Sequence, residues 1–328
     1  MVVDRLPEDL QTMIVEFLNV SNIIALGVVN TSYYTIFNTF TIEKYVEKNR
    51  TNTLLSYRKH QHGVIYQKGI ICHDILPLRE LCLLLKTKYD AKQLEIDTVL
   101  YECIHTNRPL EYFKMIAEIF DINLNESYVG DIFDEQEFMI HIAAYNDNTQ
   151  ILSYLIQRGV NVDTVSFVER ETPLMYAISN NSFKAAKMLI EHRCNINTKN
   201  YSGFNALHQA IYIQSDTNIT DLLIRNKCDI NSRSLMNETP LTLGIFEENY
   251  NVVKYLLENK ADANDKVIPP IHVILLTNQP ATLKMLKLLI SHGADVHQTY
   301  KGQTVLYRSK QTKQSEKVVK YLKYILNK

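Results

Sequence analysis

Leu189-Ile190-Glu191-His192-Arg193-Cys194-Asn195-Ile196-Asn197 returns as Leu223-Ile224-Arg225-Asn226-Lys227-Cys228-Asp229-Ile230-Asn231. The same outline opens on Leu256-Leu257 and closes on Asn264. It opens again on Leu289-Ile290 and closes on His297, and an earlier copy runs from Leu155-Ile156 to Asp163. The opening leucines are 34, 34, 33 and 33 residues apart. A fixed period of this length marks stacked copies of one supersecondary unit.

A second signal keeps the period. Thr172-Pro173-Leu174 matches Thr239-Pro240-Leu241, with Asn205-Ala206-Leu207-His208 between them. Ile140-His141, Pro270-Ile271-His272 and Val305-Leu306-Tyr307 lie outside. Pro is tolerated in a first helical turn, where its missing N–H would have had no partner. Three residues after the Leu stands a small residue, Ala143, Ala177, Ala210 or Gly244, which lets two helices approach. Ala185, Met188 and Leu189 have helical spacing and face a neighbouring unit. No unit can bury its apolar face alone, so stacking is obligatory.

The pattern resembles the ankyrin family, whose unit of about 33 residues starts with Thr-Pro-Leu-His. The resemblance implies helix pairs with a hairpin finger projecting sideways from each, in a protein that binds another protein. Clear repeats occupy residues 138–297, followed by a capping repeat over 298–328 with a helix around Val318 to Leu326. Its Lys313, Lys317, Lys320 and Lys323 suit a solvated outer face. Leu100, Met115 and Asn123 stand 40 residues before Ile140, Leu155 and Asp163. That predicts a degenerate repeat over 97–137, with six or seven residues inserted within 124–136. Residues 41–96 read as a helical linker or degenerate cap. The fifth repeat departs: Leu241 to Ile271 is 30 residues, and Ile271 to Leu289 is 18 where 15 is usual. A short finger and a long turn containing Pro280 should interrupt the binding face there.

Residues 1–40 form a separate helical segment. Pro7 starts a helix, with Glu8 and Asp9 favourable at its positive end. Leu10, Ile14 and Leu18 make one apolar stripe, and Ser21 or Asn22 caps a second helix bearing Ile23, Leu26 and Val29. Leu6-Pro7 with Leu10, Ile14, Leu18, Ile23, Leu26 and Val29 resembles an F-box. Asn22, Asn30 and Tyr33 stand where that family usually has Asp, Cys and Trp. The other reading is a helical cap shielding the first repeat. The resemblance implies docking on a Skp-type adaptor linked to a cullin ubiquitin ligase, with the ankyrin repeats selecting the substrate. An F-box ahead of ankyrin repeats is also similar to host-directed proteins of large DNA viruses and intracellular bacteria. The expected fold is all-α: an ankyrin solenoid behind a small helical F-box-like domain. The expected function is substrate recognition for a cullin-type ligase. The alternative is an ankyrin scaffold or inhibitor that sequesters its partner without ubiquitin.

Composition narrows the classes. Net charge is −1 with Lys and Arg scattered, so no basic footprint for nucleic acid exists. Five cysteines, odd in number and widely spaced, fit a reducing compartment, the cytoplasm or nucleus, of a host cell if the source is a pathogen. Asp4, Arg5, Glu8 and Asp9 break any secretory signal, and the apolar stretch 23–29 is too short for a bilayer. No His-Glu-x-x-His, Gly-x-Gly-x-x-Gly, Gly-x-Ser-x-Gly or Cys-x-x-Cys occurs. We therefore expect no catalytic residue, metal or cofactor. His60 and His62 read as a solvated pair, and His141, His208 and His272 recur at the repeat period in a structural role. Cys194 and Cys228 share the slot of Ala261 and Ala294, as small residues under the hairpin.

Fingertips and the exposed side of the first helices are free of packing duties, so partner binding is expected there. Six positions before the Leu of each helix start stand Val168, Tyr201, Leu235 and Tyr300, with Phe167 and Met236 alongside. Phe204 lies three positions before its Leu, and Tyr212 and Phe246 five after theirs. A row of exposed apolar side chains needs a reason, and aromatics dominate binding energy at interfaces. The other reading has Phe204 and Phe246 tucked into neighbouring repeats. Leu223 to Asn231 and Leu256 to Asn264 also resemble ankyrin asparagine sites of an oxygen-dependent hydroxylase. The plainer reading is a hairpin Asn bonding its own loop.

Overall fold

The computed structural model describes residues 96–105, 107–129, 136–276, 282–312 and 314–327, with Leu83 and Lys86 besides. The chain divides into two compact units, Met1–Asp134 and Glu135–Lys328. The adaptor-binding stripe expected from Leu6 to Val29 lies outside the described residues, as does Pro280.

In the first unit, helix α1 (Ile96–His105) packs on α2 (Leu110–Ile119), followed by strand β1 (Ser127–Val129). Leu100 and Ile104 meet a core that includes Phe113, Met115 and Ile116, all buried.

The second unit is an ankyrin solenoid. After β2 (Gln136–Phe138) come paired helices: α3 (Met139–Tyr145) and α4 (Thr149–Gln157), α5 (Pro173–Ser179) and α6 (Phe183–Glu191), α7 (Ala206–Tyr212) and α8 (Thr217–Arg225). Next are α9 (Pro240–Phe246) and α10 (Tyr250–Glu258), then α11 (Pro270–Val273) and α12 (Thr282–Ser291). A short hairpin, β3 (Thr299–Tyr300) and β4 (Gln303–Thr304), leads to α13 (Val305–Gln311) and α14 (Glu316–Leu326). The first helices stack in order, α3 on α5 and so on to α13. The second helices form a parallel layer: α6 contacts both α4 and α8, and α12 contacts both α10 and α14. Leu155, Leu189, Leu223, Leu256, Leu289 and Leu322 hold the same place in each second helix, and all are fully buried. Ala143, Ala177 and Ala210 are buried between layers. At Gly244 an added Cβ would meet Val253 at 3.2 Å, which is why the slot takes only small residues. Between α8 and α10 the Tyr255 hydroxyl donates to the Asp221 carboxylate, which Arg225 also grips at 2.8 Å.

Local chemistry fixes the helix ends. Thr172, Asn205, Thr239 and Thr304 cap first helices, their side-chain oxygens accepting the N–H three residues on. Each second helix closes on a left-handed residue: Gly159, Arg193, Lys227, Lys260 or Gly293. The next N–H then bonds back over the last turn, as Cys194 to Leu189 at 3.2 Å and Cys228 to Leu223 at 3.0 Å. Asp147, Asn181, Gln214 and Glu248 do the same after first helices. Left-handed geometry crowds any Cβ, so each non-glycine here costs about 1 kcal/mol.

The hairpins are laced by Asn and Asp. Asn161, Asn195, Asp229, Asp262 and Asp295 each accept the N–H two residues on, which sets the turn. Asp163, Asn197, Asn231 and Asn264 reach across instead. They accept the N–H of Asn195, Asp229, Asp262 and Asp295 in the following repeat, at 2.7–2.9 Å. The expectation that Asn231 and Asn264 bond their own loops is thereby corrected. That duty falls to the residue two earlier, which leaves the second side chain free to span the repeats.

Two substitutions separate these constraints. Gly203 has φ +76°, and a Cβ there would sit 2.5 Å from the Leu235 nitrogen. Gly203→Ala should lower the urea-derived stability by more than about 1 kcal/mol. Lys227→Gly, at φ 63° with the same left-handed demand, should raise it by roughly 0.5–1 kcal/mol.

Candidate protein-binding surface

Three successive fingers are built alike. Ser166, Asn200 and Ser234 each donate their N–H to the far side of the finger, to the carbonyls of Glu171, Phe204 and Glu238, all at 2.9 Å. A left-handed residue turns each finger: Arg170, Gly203 and Asn237. Neighbouring fingers are joined directly, with Tyr201 N–H donating to Glu169 O at 3.0 Å and Leu235 N–H to Ser202 O at 2.9 Å. Arg170 donates to Lys199 O at 2.7 Å, and Lys199 to Arg233 O at 2.8 Å. The tips therefore line up as one row.

The row is apolar. Leu235 and Met236 are each 76% exposed and Tyr201 59%, with Phe167 and Val168 also exposed. Phe167 stacks on Phe138 with ring centroids 5.7 Å apart. The first finger is one residue longer than the next two, so Phe167, not Val168, occupies the register of Tyr201 and Leu235. Counting back from Leu174 could not see that extra residue.

The next finger collapses. Asp265 is 2% exposed, pairs with Arg233 at 2.6 Å, and accepts the N–H groups of Val267 and Ile268 at 2.6 and 3.0 Å. It closes a tight turn that runs straight into Pro269 and Pro270, and α11 is only four residues long. Beyond it Tyr300 is half-buried, its ring 5.9 Å from His272 and 5.3 Å from the Arg308 guanidinium. Of the eight residues expected to form the face, Tyr300 alone is separated from the row by this turn.

A second row follows the ends of the first helices. Tyr212 and Phe246 are exposed, and so are Tyr145 and Leu276, five positions after Ile140 and Ile271. The sequence offset that selected Tyr212 and Phe246 would have found the other two. Phe204 lies between the rows and is half-buried. It stacks on His208 at 5.2 Å and meets the Tyr212 ring edge-on at 5.9 Å. It is packed within its own repeat, while Phe246 stays open.

The histidines hold the fingers from below. His141 Nε2 donates to Glu171 O at 3.1 Å, His208 Nε2 to Glu238 O at 3.2 Å, and His272 Nε2 to Gln298 O at 2.9 Å. Each bond crosses to the finger of the next repeat. Burial holds the imidazoles of His141 and His208 neutral, down to about 4 from an ordinary 6.5. His272 is lowered by the same cause. Burial pushes the Cys194 and Cys228 thiols up to about 12, so both are protonated and unreactive. Among the described residues no group of three or more His, Cys, Asp or Glu is placed to hold a metal ion, and no helix is long and apolar enough to cross a membrane.

A stacked helical array with a bonded row of fingers and an open apolar surface defines a protein-binding repeat module. The chain belongs to the ankyrin repeat family, whose model matches residues 81–200 and 197–267, more than half of its length. It is similar to an ankyrin repeat protein of Acanthamoeba polyphaga mimivirus, 29% identical over 45% of this chain and 20% of that one. It is also similar to the B-cell lymphoma 3 protein homolog of Mus musculus, 34% identical over 22% of this chain and 16% of that one. The chain thus spans about a fifth or less of these curated relatives. Among solved structures, the ankyrin repeat domain of Bcl-3 superposes with a TM-score of 0.59 at 17% identity, over 68% of this chain and 97% of that one. The human ASB11 ankyrin repeat domain gives 0.54 at 21% identity, over 69% and 96%. At these identities the likeness is one of fold.

The neutral histidines set a pH dependence. Their folded pKa lies below the unfolded value, so between pH 6.5 and about 4 the unfolded chain binds more protons. Their contribution is complete above pH 6.5 and is lost as pH falls toward 4, by up to about 3 kcal/mol each. Urea midpoints measured from pH 7 to 4.5 should fall for the wild type. His208→Gln, which keeps a donor for Glu238 without a titrating ring, should flatten part of that fall.

Proposed function

We propose that this chain is a non-enzymatic binding scaffold that captures and sequesters a protein partner on the face formed by Phe167, Val168, Tyr201, Leu235, Met236, Tyr212 and Phe246. The carrying observation is the row of exposed apolar tips on fingers fixed to one another by backbone hydrogen bonds. Such a surface is ordered before it binds, so little side-chain and loop entropy is lost on docking. Replacing Tyr201 and Phe246 with Ala and Leu235 with Ser should abolish capture of the partner recovered by the wild type from cells. The urea midpoint should stay within about 0.5 kcal/mol of stability, as surface changes do. Ready unfolding of the triple variant would instead make these residues core.

A second reading adds ubiquitin transfer, with the same face selecting a substrate and the N-terminal segment binding a Skp-type adaptor of a cullin ligase. Its support is the spacing Leu6-Pro7, Leu10, Ile14, Leu18, Ile23, Leu26 and Val29. Leu6→Ala with Pro7→Ala should then abolish co-purification of the adaptor while leaving the ankyrin array folded. A buried aliphatic lost from such an interface costs about 2–4 kcal/mol, enough to break a micromolar contact. Wild-type protein that recovers no adaptor eliminates this reading and leaves the scaffold standing.

A further inference from the structure

Glu171, Phe204 and Glu238 stand at one register of three successive repeats. Each carbonyl accepts the N–H that opens its finger, from Ser166, Asn200 and Ser234. Two side chains show where this register points. One repeat earlier the Glu137 carboxylate accepts the Tyr176 hydroxyl at 2.7 Å, over helix α5. Phe204 itself lies over His208 and Tyr212 of α7. Side chains at this register therefore reach over the first helices. With repeats about 10 Å apart, carboxylates flank the Phe204 ring on both sides.

One face of Phe204 rests on His208, and Tyr212 is exposed beside it. The nearby finger cations are already engaged: Arg170 and Lys199 on backbone carbonyls, Arg233 on Asp265. An aromatic face between two carboxylates attracts a cation through both its quadrupole and its neighbours' charge.

We propose that the partner presents an arginine or lysine side chain to Phe204 and Tyr212, between Glu171 and Glu238, next to the apolar residues that meet the fingertips. This rests on the docking face proposed above and names the chemistry of what it takes. An arginine suits the seat best, since its planar guanidinium stacks on a ring while its edge donates to carboxylates. The neutral state of His208 leaves the seat without a competing positive charge.

The test uses the full chain and a phage library of random peptides as probe, selected in parallel on the wild type, on the variant E171Q/E238Q and on Phe204→Leu. Enriched peptides should carry Arg or Lys beside aromatic or aliphatic residues. Synthetic copies should bind E171Q/E238Q about tenfold more weakly at low salt, with a smaller difference at high salt. Phe204→Leu, which keeps the bulk and removes the ring, should weaken them as well. Unchanged thermal midpoints establish that both variants are folded, and Glu238→Gln alone serves if the double variant is not. Enrichment of acidic or purely apolar peptides, of basic peptides indifferent to these substitutions, or of nothing at all overturns the inference. Apolar peptides that still lose binding when Tyr201, Leu235 and Phe246 are replaced would overturn only the cation seat. Peptides of any kind indifferent to that triple replacement would overturn the docking face.

Discussion

A single repeat of this chain has no interior. Leu189 is fully buried because helices on both sides close over it, and Leu155, Leu223, Leu256 and Leu289 repeat the arrangement. Each such side chain contributes about 2 kcal/mol only when both neighbours are in place. The stability of the array is therefore a sum over interfaces between adjacent repeats. The chain ends the stack by changing its surface. In the last repeat Leu306 is only half-buried, and α14 turns Lys317, Lys320 and Lys323 outward. An apolar outer face there would invite a further copy.

Polar bonds supply what burial cannot, namely register. Apolar contact alone lets one helix layer slide on the next. The carboxamides of Asn197, Asn231 and Asn264 each accept one N–H of the following repeat, and the histidines bond one carbonyl of the following finger. These bonds define how far each finger sits from its neighbour. The apolar tips inherit that spacing, so the presented surface is a property of the ladder beneath it. The Arg233–Asp265 pair belongs to the same system. It draws a buried carboxylate into the turn and shortens the finger that would otherwise continue the row.

The architecture was legible because its determinants recur: the buried Leu, the small residue and the capping Thr or Asn return at fixed offsets. The open face was partly legible for the same reason. Tyr201, Leu235, Tyr212 and Phe246 stand at offsets where the fold makes no packing demand, so apolar residues there stand out. What escaped depends on contacts between repeats. The direction of the Asn231 and Asn264 side chains needs a neighbour's backbone to explain it. The half-burial of Phe204 depends on a ring stacked over His208. The extra residue of the first finger moves Phe167 into register, and counting from the helix start assigns that place to Val168. The steric demand at Gly203 comes from Leu235, one repeat away.

The collapsed turn at Asp265 also limits how long a message this surface can read. Fingers at Phe167, Tyr201 and Leu235 stand about 10 Å apart, so the uninterrupted row measures roughly 20–30 Å. An extended chain rises about 3.3 Å per residue, which leaves room for some six to nine consecutive residues. A helix laid along the same row would engage it over four or five turns. Discrimination between partners must therefore be settled within one short linear segment, and a few changes in that segment would be enough for a partner to gain or escape recognition.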